Sequence, residues 1–312
     1  MATYRWEPGA SPRHELRRIA RDQVESALVE LDDEDRHTAV HQVRKHGKKI
    51  RALLRLVRLS APELYQRENA AFRDATRRVS SDRDAAVALQ TYDGLVGRFV
   101  DAAASTGLLP VRAALVERRD AVLRDDLEER LEAIRSDLET ALERIELWEL
   151  DGEGFDVVAG GFTKTYGRAR DRMADAYEEQ TSEAFHLWRK RVKYHRYHVE
   201  LLQDVWPELM EARRDELHEL TDLLGDDHDL AVLRQDLTAD PERFGGPGPV
   251  ATVCALLDRR RAELQSDAHQ LGRRCFAEPP KQIVARIGTY WEAAVASART
   301  GPLADATVPG GR

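Results

Sequence analysis

The residues best placed to do chemistry form a basic pattern that occurs twice in the chain. Each copy begins with a histidine and continues with lysine or arginine at fixed spacings. The first stripe is His41, Arg44, Lys45, Lys48 and Arg51, and the second stripe is His186, Arg189, Lys190, Lys193 and Arg196. On an α-helix these spacings fall within an arc of about 120°, so each copy predicts a row of cations along one helix face. Such a row is suited to binding a polyanion.

A second pair of segments shares the spacing between the two stripes. The stripes lie 145 residues apart, and the same offset aligns Val79-Ser80-Ser81-Asp82-Arg83-Asp84 with Leu224-Gly225-Asp226-Asp227-His228-Asp229. Two features with one offset indicate a duplication. A unit of this length is too long for a solenoid repeat and has the size of a common domain, so the chain is predicted to contain two similar halves.

The first stripe carries more positive charge than a solvated helix face usually does. Residues 41–58 contain seven lysine and arginine residues and no aspartate or glutamate. Like charges four residues apart repel each other, and an anionic ligand would reverse this repulsion. A binding face is therefore favoured over a passive surface helix. The second stripe is less purely cationic, because Glu200 lies at its edge and is predicted to pair with Arg196.

The histidines that open the stripes occupy equivalent positions in the two halves. A single histidine near a helix start is most simply a structural residue, but two equivalent ones favour a role in anion binding. Neighbouring cations bias the imidazole toward its neutral form, which can donate one hydrogen bond to a phosphate oxygen. Metal ligation is the less favoured alternative, because no cluster with ligand spacing surrounds His41 or His186, and no metal is expected.

The bulk composition predicts an all-α protein. The 312 residues are 42% hydrophobic and 33% charged, with few aromatic residues and long stretches rich in Ala, Leu, Glu and Arg. The net charge of −8 is segregated, since the stripes are basic and other segments are acidic. Cys254 and Cys275 are predicted to be reduced core thiols. The first residues do not resemble a signal peptide, and no apolar stretch is long enough for a membrane span, so a cytoplasmic location is expected.

Prolines, glycines and periodic segments predict the order of the helices. The first half is expected to hold five helical segments, the last of them one long charged helix that reaches about Leu147. Glycines in 151–161 mark the internal boundary, after which helices are predicted to begin near Thr163, Glu183, Pro207 and Asp227. A turn at 245–249 should precede a helix to Cys275, and Pro279-Pro280 should precede the last one. The predicted halves are 11–150 and 160–298, followed by a disordered tail at 299–312.

Two acidic turns flank Arg83 and His228. The first contains Asp82 and Asp84, and the second contains Asp227 and Asp229. Each turn is predicted to lie where a helix begins, so helix capping is the favoured role of its carboxylates. Arg83 and His228 would then join the anion-binding surface. Acid–base chemistry or metal binding by the same carboxylates is the alternative.

Sequence motifs of the common enzyme classes are absent. The chain has no phosphate-binding GxxxxGK[ST] loop, no Rossmann glycine set, no HExxH and no nucleophile elbow. Together with the stripes, this absence favours a protein that binds phosphates without cleaving them. No cofactor is expected.

The chain resembles the CHAD family, the conserved-histidine α-helical domain, over roughly residues 11–295. The resemblance rests on the segment from His41 to Arg51, on the segment from His186 to Tyr197, and on Leu224 to Asp229. In one place the chain departs from the family pattern: Val79-Ser80 stands where the family tends to have Leu-Gly. This departure concerns the local turn and leaves the basic residues intact.

The resemblance implies two four-helix bundles related by a pseudo-two-fold axis, with the basic helices facing one another across a central groove or pore. That groove would bind inorganic polyphosphate without catalysis, and members of the family are often linked to polyphosphate granules. A fused CYTH triphosphatase domain, found in some members, is not expected here. The implied polyphosphate-binding residues are His41, Arg44, Lys45, Lys48, Lys49, Arg51, Arg55, Arg83, His186, Arg189, Lys190, Lys193, Arg196 and His228. Three further cations on the first helix of the second half are expected to add to this surface: Lys164, Arg168 and Arg170.

Two other functions remain open. A nucleic acid has a similar phosphate backbone, although Tyr194 and Tyr197 are the only aromatic residues beside a stripe that are candidates for base stacking. A metal-dependent phosphoanhydride hydrolase would use the carboxylates of the two acidic turns to hold a divalent cation. No membrane partner is expected, and the oligomeric state does not follow from the sequence.

Overall fold

The described part of the chain consists of α-helices joined by short connections, which confirms the all-α prediction. The computed structural model describes residues 4–33, 35–78, 83–99, 108–122 and 127–300, without the side chains of 37, 83–86, 121, 122 and 300. Eleven helices and no strand occur within these ranges. The helices are α1 (Pro12–Glu30), α2 (Arg36–Leu56), α3 (Pro62–Arg77), α4 (Arg83–Arg98), α5 (Leu109–Val122), α6 (Leu127–Ile145), α7 (Asp156–Glu179), α8 (Ser182–Leu201), α9 (Pro207–Ala239), α10 (Pro247–Cys275) and α11 (Pro280–Thr300).

Proline and threonine fix several helix starts. α1, α3, α9, α10 and α11 each begin at a proline, whose missing N–H is not needed in the first turn. The side chain of Thr181 caps α8 by accepting a hydrogen bond of 3.2 Å from the N–H of Ala184. Pro62 and Pro207 are 145 residues apart, so the offset of the stripes also relates the starts of α3 and α9.

Buried side chains form two clusters. The larger cluster draws on both halves of the sequence, because α2 packs against α1 and α3 and also against α7 and α8. The smaller cluster joins α4 and α5 to the C-terminal part of α9 and the N-terminal part of α10. The larger core therefore holds together the two helices that carry the stripes.

The predicted helix start at Asp227 is wrong, because α9 runs without a break from Pro207 to Ala239. Gly225 lies inside this helix, and a Cβ there would stand at an ordinary contact distance of 3.5 Å from Nη2 of Arg189. The carboxylate of Asp227 is buried and accepts hydrogen bonds from Arg261 (3.0 Å) and Gln265 (2.8 Å) of α10. It binds two helices together and does not cap one.

The corresponding turn of the first half can be compared only at its borders. α3 ends at Arg77 and α4 begins at Arg83, which agrees to within a few residues with a predicted helix end near Ser80-Ser81 and a next helix capped by Asp82 or Asp84. The turn itself, including Asp82, lies outside the described residues, as do the side chains of Arg83 and Asp84.

The predicted helix start near Thr163 is also wrong, because α7 begins at Asp156 and includes Gly160 and Gly161. A Cβ at Gly161 would stand 1.8 Å from the carbonyl oxygen of Leu56, so this glycine permits a close approach of α2 and α7. The predicted boundary at residue 160 therefore falls inside a helix. Of the single long helix expected up to Leu147, the structure describes α5 and α6, and residues 123–126 between them lie outside the described residues.

Later connections follow the prediction. Gly245 and Gly246 have φ angles of 90° and 96°, a region that favours glycine, and α10 begins directly after them. Cys254 and Cys275 are free and buried. α11 continues through Thr300, beyond the predicted start of the tail, and residues 301–312 lie outside the described ranges. No helix in the described ranges has the length and apolar character needed to cross a membrane.

Candidate functional site

The helices that carry the stripes cross in an antiparallel direction. Lys49 forms a salt bridge of 2.8 Å with Glu200, the ring Nε2 of His198 donates to the carbonyl oxygen of Ala52 at 2.9 Å, and the guanidinium of Arg55 lies 4.0 Å from the ring centre of Tyr194. Residue numbers rise along α2 as they fall along α8. The C-terminal parts of both stripes therefore meet at one crossing.

Two of these contacts are equivalent under the repeat offset. The counterpart of Lys49 is Tyr194 and the counterpart of Arg55 is Glu200, so the Lys49–Glu200 salt bridge corresponds to the Arg55–Tyr194 cation–π contact. One half uses a carboxylate where the other uses an arginine. Both contacts fix the same crossing geometry.

The crossing places the stripes end to end along the antiparallel helices. Ala52 and its counterpart Tyr197 lie at the middle of the crossing, between the contacts of Lys49 and Arg55. His41 and His186 each lie about three turns, or about 16 Å of helix, from this midpoint in opposite directions. The two histidines therefore lie at opposite ends of the helix pair, and the C-terminal cations of both stripes lie near its middle.

The C-terminal end of the first stripe is held by the neighbouring helix α3. Oδ1 of Asn69 accepts hydrogen bonds from Nε of Arg51 (3.2 Å) and Nη1 of Arg55 (2.7 Å). Arg55 is buried and also lies over the ring of Tyr65 at 5.8 Å. Burial lowers the pKa of Arg51, and the positive charge of Arg55 acts in the same direction. Two guanidinium groups are thus fixed side by side by one neutral amide.

The N-terminal end of the second stripe packs against α9. The rings of His186 and His228 are stacked with centres 4.1 Å apart. Burial lowers the pKa of His186 to about 4, and His228, Lys190 and Arg189 add to the effect. His186 is therefore neutral near pH 7, as the sequence predicts. The side chain of Arg83, the counterpart of His228, lies outside the described set.

The remaining stripe residues differ in exposure. His41, Lys45 and Lys190 are exposed, whereas the others are half-buried: Arg44, Lys48, Arg189, Lys193 and Arg196. The predicted pairing of Glu200 with Arg196 is wrong, because Glu200 pairs with Lys49 while Arg196 lies over the ring of Tyr197 at 4.8 Å. Glu200 faces across the crossing to α2, which spacing along α8 alone does not reveal.

Several cations of the site form no salt bridge with any described carboxylate. They are Lys45, Arg51, Arg55, Lys190 and Arg196. Lys49 differs from them, because its ammonium is paired with Glu200 and lies 4.4 Å from the ring centre of Tyr4. The surface thus combines one neutralised lysine with arginines that are held by the amide of Asn69 and by aromatic rings.

Sequence reasoning missed Asn69 and Tyr65, which packing of α3 on α2 brings to the first stripe. No spacing rule identifies them, because they carry no charge. Of the three additional cations predicted on α7, Arg168 lies near Arg58 and Arg191, while Lys164 and Arg170 are exposed.

The acidic turns do not form a metal site in the part of the structure that is described. No group of three or more His, Cys, Asp or Glu side chains there is arranged to hold a metal ion. The carboxylate of Asp227 already accepts hydrogen bonds from Arg261 and Gln265. Burial raises the pKa of Asp226, and the charge of Asp229 adds to this shift.

A comparison with protein-family models identifies the family of the chain. The family model described as the CHAD domain matches residues 15–238, which is more than half of the chain. The chain belongs to the CHAD family. The CHAD match extends from the first turn of α1 almost to the end of α9 and contains both stripes. α10 and α11 follow the CHAD match, although α10 supplies the partners of Asp227. No curated protein matches the chain.

Proposed function

We propose that the chain binds inorganic polyphosphate along the basic track formed by both stripes, and that it does so without catalysis. Membership of the CHAD family supports the ligand class. We further propose that the protein is cytoplasmic and associates with polyphosphate granules. A polymer of phosphates matches a row of cations better than a compact ligand does, because each cation meets its own phosphate.

The observation that carries the proposal is the meeting of two cation rows at the crossing of α2 and α8. Arg51, Arg55 and Arg196 lie near this crossing without a salt bridge to any described carboxylate. The C-terminal halves of α2 and α8 contain one acidic residue between them, Glu200, and it forms a salt bridge with Lys49. A polyanion would find little competing negative charge there.

The equivalence of the Lys49–Glu200 and Arg55–Tyr194 contacts supports a pseudo-two-fold axis through the crossing. An axis perpendicular to both helices would carry one stripe onto the other while keeping both on the same side of the helix pair. The track would then be one continuous groove between the two bundle-like halves. Its length, set by His41 and His186, would be about 30 Å.

The structure offers more support for binding than for phosphoanhydride hydrolysis. Hydrolysis of this kind requires a group that activates water, usually a metal ion held by carboxylates. Asp227, a candidate ligand for such an ion, is buried and already bonded to Arg261. At the centre of the track, Arg51, Arg55 and Arg196 form no salt bridge with a described carboxylate that could act as a base.

A charge-matched comparison tests the proposal. Replacement of Lys45, Arg51, Lys190 and Arg196 by glutamine removes two equivalent pairs from the track. The control replaces Arg13, Arg112, Arg119 and Arg234, which form exposed salt bridges elsewhere, and has the same net charge. Binding of length-defined polyphosphate is measured at several salt concentrations, and circular dichroism monitors the helices.

The track variant should bind polyphosphate roughly a hundredfold more weakly, and the salt dependence should fall by about one unit of slope for each lost phosphate contact. The control should bind like the wild type. Equal losses in both variants would attribute binding to net charge alone. Unchanged binding by the track variant would refute the proposal.

Competition with RNA tests the nucleic-acid alternative. Labelled polyphosphate is displaced by unlabelled RNA or polyphosphate at equal phosphate concentration. Tyr194 lies beneath Arg55 and is less available for base stacking than an unoccupied ring would be. Polyphosphate should therefore compete better than RNA, and equal competition would contradict the assignment.

A further inference from the structure

A second group of cations lies beyond the C-terminal end of α2 and is not part of either stripe. Its centre is Arg58, which is only 5% exposed. Nη2 of Arg58 donates to Oγ1 of Thr165 (3.2 Å) and to the carbonyl oxygen of Gly161 (3.4 Å), while its Nε has no hydrogen-bond partner. No described carboxylate forms a salt bridge with it. A buried guanidinium without an anion is unfavourable unless a ligand supplies one.

Two more arginines lie near Arg58 on other helices. Thr165, which accepts a hydrogen bond from Arg58, lies one turn before Arg168 on α7, and Tyr194, which contacts Arg55, lies one turn after Arg191 on the antiparallel α8. Arg168 projects from α7 and is exposed, and Arg191 projects from α8 and is half-buried. Burial lowers the pKa of Arg58 to about 10 and also lowers that of Arg191, and in both cases Arg168 is the largest charge contribution. With a pKa of about 10, Arg58 remains charged at neutral pH. The nearby carboxylate of Asp175 is paired with Arg172 at 2.9 Å. Arg58, Arg168 and Arg191 form no salt bridge with a described carboxylate.

The fold itself does not require charge at these positions. Under the repeat offset, the counterparts of Arg58, Arg168 and Arg191 are Gln203, Gln23 and His46. Those three are satisfied without an anion, since His46 contacts Gln23 at 3.0 Å and Gln203 accepts from Arg214 at 3.1 Å. Burial lowers the pKa of His46 to about 4, so this counterpart is neutral. Equivalent positions of the two halves are thus filled by neutral side chains in one half and by three arginines in the other.

Arg55 connects the three arginines to the basic track. It lies over the ring of Tyr194 and is close enough to lower the pKa of both Arg51 and Arg58. A chain of phosphates that follows the first stripe past Arg51 would therefore reach Arg58, which lies just beyond the middle of the track and beside the helix of the second stripe. Because only one half carries these arginines, the two halves of the track are chemically different.

We propose that Arg58, Arg168 and Arg191 bind a doubly charged terminal phosphate group, so that a polyphosphate chain bound along the first stripe ends here, beside the helix of the second stripe. An internal phosphate of the chain has one charge and two free oxygens. A terminal phosphate has three free oxygens and approaches two charges near neutral pH, which suits guanidinium groups from three directions. This inference rests on the proposed function, because the terminal phosphate is that of the polymer bound along the track.

The test uses the residues of the other half as replacements. The triple variant carries Arg58→Gln, Arg168→Gln and Arg191→His, and a double variant carries only the last two, which lie outside the core. A control double variant, Arg112→Gln and Arg119→Gln, matches the charge of the double variant and lies on α5. The full-length protein is titrated with polyphosphate of one length, either with free ends or with both ends esterified, and separately with pyrophosphate.

The wild type and the control should bind free-ended chains roughly tenfold more tightly than end-capped chains, and the triple variant should bind both forms alike. The double variant keeps the test valid if the triple variant does not fold, and it should lose most of the preference. Equal binding of free and capped chains by the wild type would overturn the inference, as would a preference that survives both variants.

The pyrophosphate arm separates this inference from the proposed function. If no polyphosphate binds but pyrophosphate binds to the wild type and not to the variants, the arginines form a site for a small free phosphate compound. The proposed function and the chain-end assignment would then both fail, while the phosphate site would stand. If capped and free chains bind alike and pyrophosphate does not bind, only the site at Arg58 fails.

Discussion

Gly161 provides a quantitative test of how the basic helix α2 is positioned. A Cβ at residue 161 would lie 1.8 Å from the carbonyl oxygen of Leu56 and 2.6 Å from that of Arg55. Both atoms belong to the backbone, so no side-chain rotation relieves the contact. The Gly161→Ala substitution must therefore separate the end of α2 from α7.

The expected loss of stability follows from two opposing terms. Overpacking costs about 1–3 kcal/mol, and a clash with backbone should lie near the upper limit. Alanine gains about 1 kcal/mol over glycine in the helix interior. The net loss in the free energy of unfolding should be about 2 kcal/mol. The same displacement should weaken polyphosphate binding, because Arg55 would move relative to Tyr194.

Urea unfolding of Gly161→Ala and Gly167→Ala provides a matched comparison within α7. A Cβ at Gly167 would lie 3.5 Å from the nearest atom, Cγ of Pro280, an ordinary contact. Gly167→Ala should therefore raise the free energy of unfolding by up to about 1 kcal/mol. If Gly161→Ala were as stable as the wild type, the close approach of α2 and α7 would not exist as described.

Three further predictions concern stability and affinity. Burial lowers the pKa of His198 to about 3, whereas the pKa of a histidine in the unfolded chain is about 6.5. Between these values only the unfolded state gains a proton on acidification. The free energy of unfolding should therefore be unaffected by this group above about pH 6.5 and fall by about 2 kcal/mol from pH 7 to pH 5. Urea titrations at both pH values check this, and His198→Gln should reduce the difference. Asp227→Ala leaves Arg261 without its buried partner and should cost about 3 kcal/mol, measured in the same way, while a loss below about 0.5 kcal/mol would contradict a role in joining α9 to α10. Glu200→Gln frees Lys49 and should tighten polyphosphate binding while increasing the salt slope by about one unit; weaker binding with intact helices would refute this account of the crossing.

The sequence predicts those features that depend on local periodicity. The two stripes, the all-α class and the helix starts at Pro62 and Pro207 follow from spacings within one helix or from one repeated offset. These rules act over a few residues, so their structural outcome does not depend on distant contacts.

Features that depend on contacts between distant helices could not be predicted from the sequence. Asp227 resembles a cap until Arg261, on another helix, is seen to bind it. Gly161 resembles part of a linker, although its role is set by Leu56. Glu200 was assigned to the nearer cation on its own helix, but the crossing of α2 and α8 brings Lys49 closer. In each case tertiary packing decides between roles that are equally compatible with the local sequence.

The uninterrupted α9 has a consequence for how the molecule opens. Its 33 residues extend over about 50 Å and contribute Leu217 and Leu220 to the larger core and Leu233 and Leu237 to the smaller one. His228 lies between these two groups of leucines, where it stacks on His186. A ligand that immobilises this histidine pair should slow amide hydrogen exchange in the smaller core as well, because a helix loses its hydrogen bonds cooperatively. Polymer binding at the track would then be detectable as protection in a region that no phosphate touches.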